Sequence, residues 1–421
     1  MRIAVGALIG VLLACGLLAS SCAPVAQRSA DLEFWTLSLK PTYTDYVEGL
    51  RRDFERETPD LRVAWLDLPE RVLFLKLLAS VAAGDPPDLV NVGTVEANRL
   101  AARRALVSTD GIVDDAARRR YFPQLWNAVH LDGKSFSIPW YVSVSVLMYN
   151  KDMFRAAGLD PSRPPTTWDE IEAAARAVRK SGQYGYLPVI RILEEWQADG
   201  LPVLDATGRR AAFATPAHAA RLEAYARLYR DDVIPPETLT GGYPEAVRRY
   251  KEGRLAMLAT GPQFLLSIRQ DAPTVYAATG VAPLPRGKAG IVPAAVMHFV
   301  IPVGSRNPAA AAKLGLSLTS PRNQLALCRL VPLLPSTVET ASDPLFTRGA
   351  GEHPLEDEAI RIDAAQLPYA RDLNISLPKA DVINRTLQEM VERAVYGRAP
   401  AMQALQEAAR TCDEALQKGE P

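Results

Sequence analysis

The chain reads as an α/β protein of two domains, and three observations predict this. Apolar residues alternate between period-2 and period-3.6 spacing from Glu33 onward, the pattern of strands joined by helices. Behind an N-terminal leader about 400 residues remain, more than one core usually organises. The run Ser137 to Lys151 reads as a crossing between lobes. Pro139 biases Ile138 toward extended backbone, and Val142, Val144 and Val146 alternate with Ser143 and Ser145, one face apolar and the other hydroxylic.

Met1-Arg2 followed by the apolar run Ile3 to Leu18 predicts a secretory signal over residues 1–21. Ala19-Ser20-Ser21-Cys22 resembles a lipobox, which makes Cys22 the lipidated first residue of a mature chain and 22–30 its tether. Cutting at Leu12-Leu13-Ala14-Cys15 instead leaves little hydrophobic core, and a plain signal cleaved near Ser21 is the alternative without lipid. Lysine plus arginine equals aspartate plus glutamate at 48 each, so nothing in the charge points to nucleic acid or an anionic surface. Cys328 and Cys412 lie in no CxxC or Cys/His cluster, which predicts core thiols and no metal site. Cys412 keeps helical spacing with Met402, Leu405 and Leu416.

Glu33 to Leu37 predicts a short aromatic strand, Ser38 to Thr42 a polar loop, and Tyr43, Val47, Leu50 and Phe54 one face of a helix that Thr58-Pro59 ends. Leu61 to Leu66 alternates as a second strand, and Leu73, Leu77, Leu78 and Val81 stripe a second helix. Asp88 to Val92 is an apolar strand of the kind buried in a parallel sheet. In open α/β sheets ligands collect beyond the carboxyl ends of strands, which singles out Ser38 to Lys40 and Gly93 to Glu96. Beyond the crossing, Thr167-Trp168-Asp169-Glu170 is a capping box opening a helix that Gly182 stops, and helices follow from Thr215-Pro216 to Tyr229 and from Tyr243 to Tyr250. Leu255 to Ala259 predicts a strand running into the turn Thr260 to Phe264, and Val275 to Val281 another strand. Ala282 to Pro285 reads as a linker, because two prolines resist continuing a strand. Ala295 to Val303 alternates again, helices are expected over 308–318 and 321–330, and an amphipathic pair after Asp381 is split by Gly397 to Pro400.

Short motifs fall in one order along nearly the whole mature chain: Glu33-Phe34-Trp35-Thr36, Asp53-Phe54-Glu55, Ala83 to Asp88, Ile138-Pro139-Trp140-Tyr141, Met148 to Phe154, Pro165 to Glu170, Gly253 to Met257, Phe299 to Ser305 and Leu334-Pro335-Ser336. In this the chain resembles the extracellular solute-binding proteins, family 1, of bacterial ABC importers, which include maltose-binding protein and other sugar binders. The resemblance implies a two-lobe periplasmic-binding-protein fold of type II, with a ligand cleft between lobes joined by hinge crossings near Ile138-Pro139, Pro283 to Pro285 and Pro332 to Pro335. It places 31–138 and 286–332 in the first lobe and 139–285 and 333–421 in the second. It further implies a monomer of the cell envelope, periplasmic or extracellular and lipid-anchored, that captures a sugar or oligosaccharide and delivers it to an ABC permease. No catalysis and no cofactor are expected.

Sugars present flat apolar faces edged by hydroxyls, so their clefts need aromatic platforms beside carboxylate, amide and hydroxyl groups. By position against the family, Phe264 after Gly261-Pro262 is the implied platform and Trp196 the next. Trp140 and Tyr141 flank the crossing, with hinge packing as their alternative. Ser143 stands where many relatives carry an acid, and a hydroxyl is the weaker partner. Lys40, Glu70 and Glu96 are first-lobe loop candidates, otherwise solvated charges. His298, otherwise a satisfied structural histidine, and Asp381 with Asn384 complete the set. A phosphorylated polyol such as glycerol 3-phosphate is the alternative ligand and requires a basic, hydroxyl-rich pocket. A secreted carbohydrate-active hydrolase is the alternative of another class. It requires a nucleophile with its base or a carboxylate pair, and there is no Gly-x-Ser-x-Gly and only 4 histidines. A lipid-anchored receptor or adhesin without transport is the third.

Overall fold

The computed structural model describes residues 30–374 and 379–417. The signal, Cys22 and the tether up to residue 29 lie outside the described residues. β1 (Leu32–Leu37), α1 (Thr44–Glu57), β2 (Val63–Leu68), α2 (Glu70–Ala82), β3 (Leu89–Gly93) and α3 (Thr94–Ala102) follow in the expected order. β1 pairs parallel with both β2 and β3. Successive side chains of a strand point to opposite faces, so this sheet feeds two cores. Phe34 and Leu89 pack with Val47, Leu50 and Phe54 of α1, whereas Trp35 and Val90 pack with Leu73 and Leu77 of α2.

β4 (Ile138–Val144) and β5 (Val146–Asn150) form one run broken only at Ser145. Asn150 ends β5 and caps α4 (Lys151–Ala156), its side-chain oxygen accepting from the N–H groups of Asp152 and Met153 at 3.0 Å each. α5 (Trp168–Lys180) opens with the expected capping box and lies against β6 (Tyr184–Tyr186). The approach is so close that a Cβ on Gly185 would stand 2.3 Å from the Ala175 Cα. There follow α6 (Ile192–Ala198), α7 (Pro216–Arg230), α8 (Gly242–Lys251), β7 (Leu255–Thr260) and α9 (Phe264–Asp271).

The stretch expected as a strand from Val275 to Val281 is instead α10 (Pro273–Ala278) followed by β8 (Thr279–Pro283). Pro273 occupies the first helical position, where its missing N–H is no loss. The linker expected at Ala282 and Pro283 is also strand, paired with Leu147 and Val146. β8 is the edge of its sheet, where proline is tolerated. β9 (Val292–Val300) returns to the first sheet. α11 (Pro308–Leu318), α12 (Pro321–Leu330), β10 (Leu334–Pro335), α13 (Pro354–Gln366), β11 (Ala370–Asp372), α14 (Ala380–Val395) and α15 (Ala401–Gln417) complete the described elements used below.

The first sheet has the order β10-β4-β9-β3-β1-β2 with β11 added on β9, and the second has the order β8-β5-β7-β6. Residues 139–144, 334–335 and 370–372, expected in the second lobe, are therefore strands of the first sheet. Pro139 does not stop β4 because it pairs with His298 where the register shifts between Met297 and His298, and a bulge accepts a residue that cannot donate. The chain changes sheet at Ser145.

α13 fills the seam between the sheets. Its Ala359 packs with Val146 and Met148, its Ile360 with Val142 and Val144, and its Gln366 amide donates to the Ser145 carbonyl at 3.4 Å. Asp363 on this helix is fully buried and has no hydrogen-bond partner among the described residues. Burial pushes its carboxyl well above the usual carboxylate range, which favours the neutral form there. Cys328 and Cys412 are free and buried in different cores, as expected for core thiols.

Gln324, buried beside β4, ties that strand to its neighbours. Its amide donates to the Trp140 carbonyl at 2.8 Å and to the Ser336 hydroxyl at 2.6 Å, and its oxygen accepts from the Ser336 N–H at 3.1 Å and the Thr337 hydroxyl at 3.0 Å. Gln324→Leu fills similar space and strands the Trp140 carbonyl and the N–H groups of Ser336 and Thr337, each costing about 1–3 kcal/mol when buried without a partner, whereas the Ser336 and Thr337 hydroxyls keep the Pro139 carbonyl and Thr340. Urea unfolding should show a loss of at least about 3 kcal/mol. A loss below about 1 kcal/mol would show that the network is redundant.

Candidate functional site

β9 runs antiparallel to both β3 and β4, with Met297 opposite Gly93 and Ala294 opposite Val144. The carboxyl ends of β3 and β4 therefore share one edge of the first sheet, the position where α/β folds place ligands. At that edge lies a cavity of about 320 Å³. Ser143 and Ser145 at the sheet crossing and Ala294 and Ala295 of β9 form its floor. Its wall comes from the second lobe: Trp168, Tyr186, Tyr225, Tyr243 and Phe264. Trp168 and Phe264 open α5 and α9, Tyr243 lies in the first turn of α8, and Tyr186 ends β6, so element ends aim most of these rings at the cavity.

Polar groups interleave with the rings. The Ser143 hydroxyl donates to Gln263 Oε1 at 3.4 Å, which links the two sheets. A Cβ on Gly261 would stand 2.1 Å from that same oxygen, so glycine lets Gln263 fold back over the turn. The Tyr225 hydroxyl donates to Glu195 Oε2 at 2.9 Å, and Arg221 approaches the same oxygen at 3.5 Å and Asp199 at 3.3 Å. The Arg221 guanidinium also lies 5.5 Å from the Trp168 ring centre, which braces the wall. Burial holds the Glu195 carboxyl above the usual range against the opposing pull of Arg221 and Tyr225. Glu194 is raised by burial too, opposed by Arg191, whose Nη1 donates to it at 3.2 Å. Arg221 is thus held behind the wall, while Arg191 gives Nη1 to Glu194 and keeps its other N–H groups, so the cavity offers a ligand ring surface, hydroxyls, an amide, carboxylates and one guanidinium.

Of the residues singled out from the sequence, Ser143, Gly261 and Phe264 line this cavity. Phe264 is half-buried and stands edge-on to Tyr243 at 5.4 Å. Trp140 and Trp196 are inside the lobes instead. Trp140 is 1% exposed and stacks on Phe299 at 4.7 Å, and Trp196 is 0% exposed and stacks on Phe213 at 5.6 Å. One residue along a helix turns about 100°, so Glu195 lines the cavity while Trp196 enters the core. Tyr141 packs edge-on to Trp140 at 5.0 Å at the margin of the first-lobe core, where burial pushes its phenol up. That is the hinge-packing alternative.

Lys40, Glu70 and Glu96 sit on the first-lobe edge after β1, at the start of α2 and in the first turn of α3, and none of them lines the cavity. Lys40 is exposed with its ammonium 4.2 Å from the Trp65 ring centre. Glu70 is exposed, and Glu96 is half-buried, its carboxyl raised by burial and by Glu70 nearby. Asp381 pairs with Arg99 of α3 at 2.8 Å, a link between lobes rather than a lining group. His298 is buried with its ring nitrogens 3.0 Å from the hydroxyls of Thr94 and Ser137, which makes it a satisfied structural histidine.

Trp168, Tyr186, Tyr225, Tyr243, Arg191, Glu194 and Glu195 escaped the sequence reading. Trp168 stood in plain sight within the capping box, where its helical role masked its ring. Arg191, Glu194 and Glu195 cluster just ahead of Trp196, and charges spaced on one side of a short helix are the signal that could have found them.

A family profile described as bacterial extracellular solute-binding protein matches residues 38–325. The crystal structure of a candidate oligosaccharide periplasmic-binding protein from Synechococcus sp. MITs9220 is 32% identical, with a TM-score of 0.83 over 92% of this chain and 99% of that one. A candidate binding protein of Brucella abortus (strain 2308) is 27% identical over 255 residues, 58% of this chain and 61% of the relative's length. The sn-glycerol-3-phosphate-binding periplasmic protein of Escherichia coli (strain K12) is 26% identical over 428 residues, 94% of each chain. The architecture is that of the type II periplasmic binding proteins.

Burial lowers the His298 pKa to about 3, whereas an unfolded imidazole protonates near about 6.5. As pH falls between these values the unfolded state binds a proton that the native state refuses, so this contribution to stability is present above about pH 6.5 and is lost on acidification. At about pH 5 the His298 ring signals in NMR should be those of a neutral imidazole. A protonated His298 in the folded protein at that pH would contradict its placement.

Proposed function

We propose, from the premise that this chain belongs to the bacterial extracellular solute-binding proteins, that its cavity captures an uncharged carbohydrate and that the loaded protein hands it to an ABC permease. The observation that carries this reading is the meeting in one cavity of Trp168, Tyr243 and Phe264 with Ser143, Gln263 and Glu195. Rings offer faces to the apolar side of a pyranose, and the polar groups both donate to and accept from its hydroxyls. The name of the Synechococcus neighbour supports the same ligand class.

The Escherichia coli relative's name raises glycerol 3-phosphate as the other ligand. A phosphate needs cations free to meet it. Here Arg221 is engaged by Glu195 and Asp199, and Arg191 stands beside both Glu194 and Glu195, so a dianion entering the cavity meets two carboxyl groups against one guanidinium. That favours a neutral ligand. Binding proceeds without turnover, outside the cytoplasm, in a monomer tethered through a lipidated Cys22.

Isothermal titration against neutral sugars and against glycerol 3-phosphate should find its ligand among the sugars. Phe264→Ala should weaken that sugar by about 1–3 kcal/mol, about 5- to 150-fold, with little change in melting of the ligand-free protein because the ring is half-buried. Preference for glycerol 3-phosphate over every sugar would overturn the ligand class. For the anchor, Cys22→Ala should release the protein from the membrane fraction, and wild-type protein without acyl mass would refute the assignment.

A further inference from the structure

A second hollow of about 370 Å³ adjoins the aromatic cavity, and Val189, Arg191 and Glu194 line both. From this continuity we infer that the ligand is at least a disaccharide, one unit lying in the aromatic cavity and the next in this second hollow; the inference rests on the carbohydrate reading above. Each hollow alone is near the lower bound of about 300 Å³ for small-molecule sites, and the two joined reach the middle of the usual range.

The second hollow has a different chemistry. Its lining holds the amides of Asn374, Asn384 and Gln388 over the apolar side chains of Leu239, Leu387 and Val391, with no aromatic ring. α14 presents Asn384, Leu387, Gln388 and Val391 at i, i+3, i+4 and i+7, one face of the helix. An amide carries two donors and an acceptor, enough to engage adjacent hydroxyls of one sugar. The Asn384 side chain is exposed and makes no hydrogen bond among the described residues, whereas the Gln388 amide donates to Glu392 at 3.4 Å and that of Asn374 to Asp372 at 3.0 Å, so each of these two keeps one N–H. Arg191 stands at the junction with Nη1 on Glu194. No other partner of its guanidinium occurs among the described residues, and its remaining N–H groups can donate to oxygens of either unit. A single hexose seated among the rings leaves the Asn384 amide and the remaining N–H groups of Gln388 and Asn374 without a ligand partner.

The test is calorimetric titration of the full mature chain with two matched series: glucose, maltose and maltotriose, and mannose, mannobiose and mannotriose. In the series that binds, the disaccharide should bind at least about tenfold tighter than the monosaccharide, equivalent to about 1.4 kcal/mol. The double variant Asn384→Ala and Gln388→Ala removes exposed amides from a helix that alanine supports. It should erase most of that gain and leave monosaccharide affinity within about twofold. A monosaccharide that binds as tightly as its longer homologues, or a variant that weakens both alike, overturns this inference and leaves the carbohydrate reading standing. If no member of either series binds, both fall together.

Discussion

Both lobes hang on one alternating strand. From Ile138 to Asn150 the backbone serves the first sheet and then the second, with Ser145 alone between them. Val142 and Val144 enter a core beneath the first sheet, Val146 and Met148 enter one of the second, and Ser143 and Ser145 are left to line the cavity. A one-residue slip in register would carry the valines into the cavity and the serines into two cores. The alternation therefore sets the lobes and the floor of the site at once. α13 guards it from behind, with Gln366 holding the Ser145 carbonyl.

Interactions within each lobe and between the lobes differ in strength. Inside, fully buried Val and Leu side chains are each worth about 1.5–3 kcal/mol, and rings such as Trp140 and Trp196 are locked by stacking. Away from α13, the links between the lobes among the described residues are polar: Ser143 to Gln263 at 3.4 Å, Arg99 to Asp381 at 2.8 Å, and the Gln197 amide to the Leu373 carbonyl at 3.0 Å. The Arg99–Asp381 pair is exposed on both sides, a class worth about 0–1 kcal/mol. A ligand touching both lobes can outweigh contacts of this size, whereas it cannot reorganise the cores. That imbalance is the condition under which a ligand can draw two lobes together without disturbing either core.

The fold was legible in the sequence where periodicity alone decides structure. The strand and helix order from Leu32 to Ala102, the capping box at Thr167 and the helix pair after Asp381 were all readable. It was misread where proline met context: the crossing implied near Ile138-Pro139 lies instead at Ser145, with Pro139 inside the strand at a bulge, and Pro283, expected in a linker, lies on an edge strand. The site was legible at the crossing and at the turn holding Gly261 and Phe264, because strand ends and turns announce themselves. The rest of the aromatic wall was not. Tyr225, Tyr243 and Trp168 come from three different helices, and their convergence is a product of tertiary packing that no spacing encodes.

Two lobes joined through the Ser145 crossing should close on a neutral sugar. Small-angle X-ray scattering tests this closure most directly, with and without a saturating neutral oligosaccharide that calorimetry shows to bind. Ligand can shift open and closed populations only by binding the closed form better, so the radius of gyration should fall when the sugar is added. An unchanged scattering profile at saturation would contradict the account.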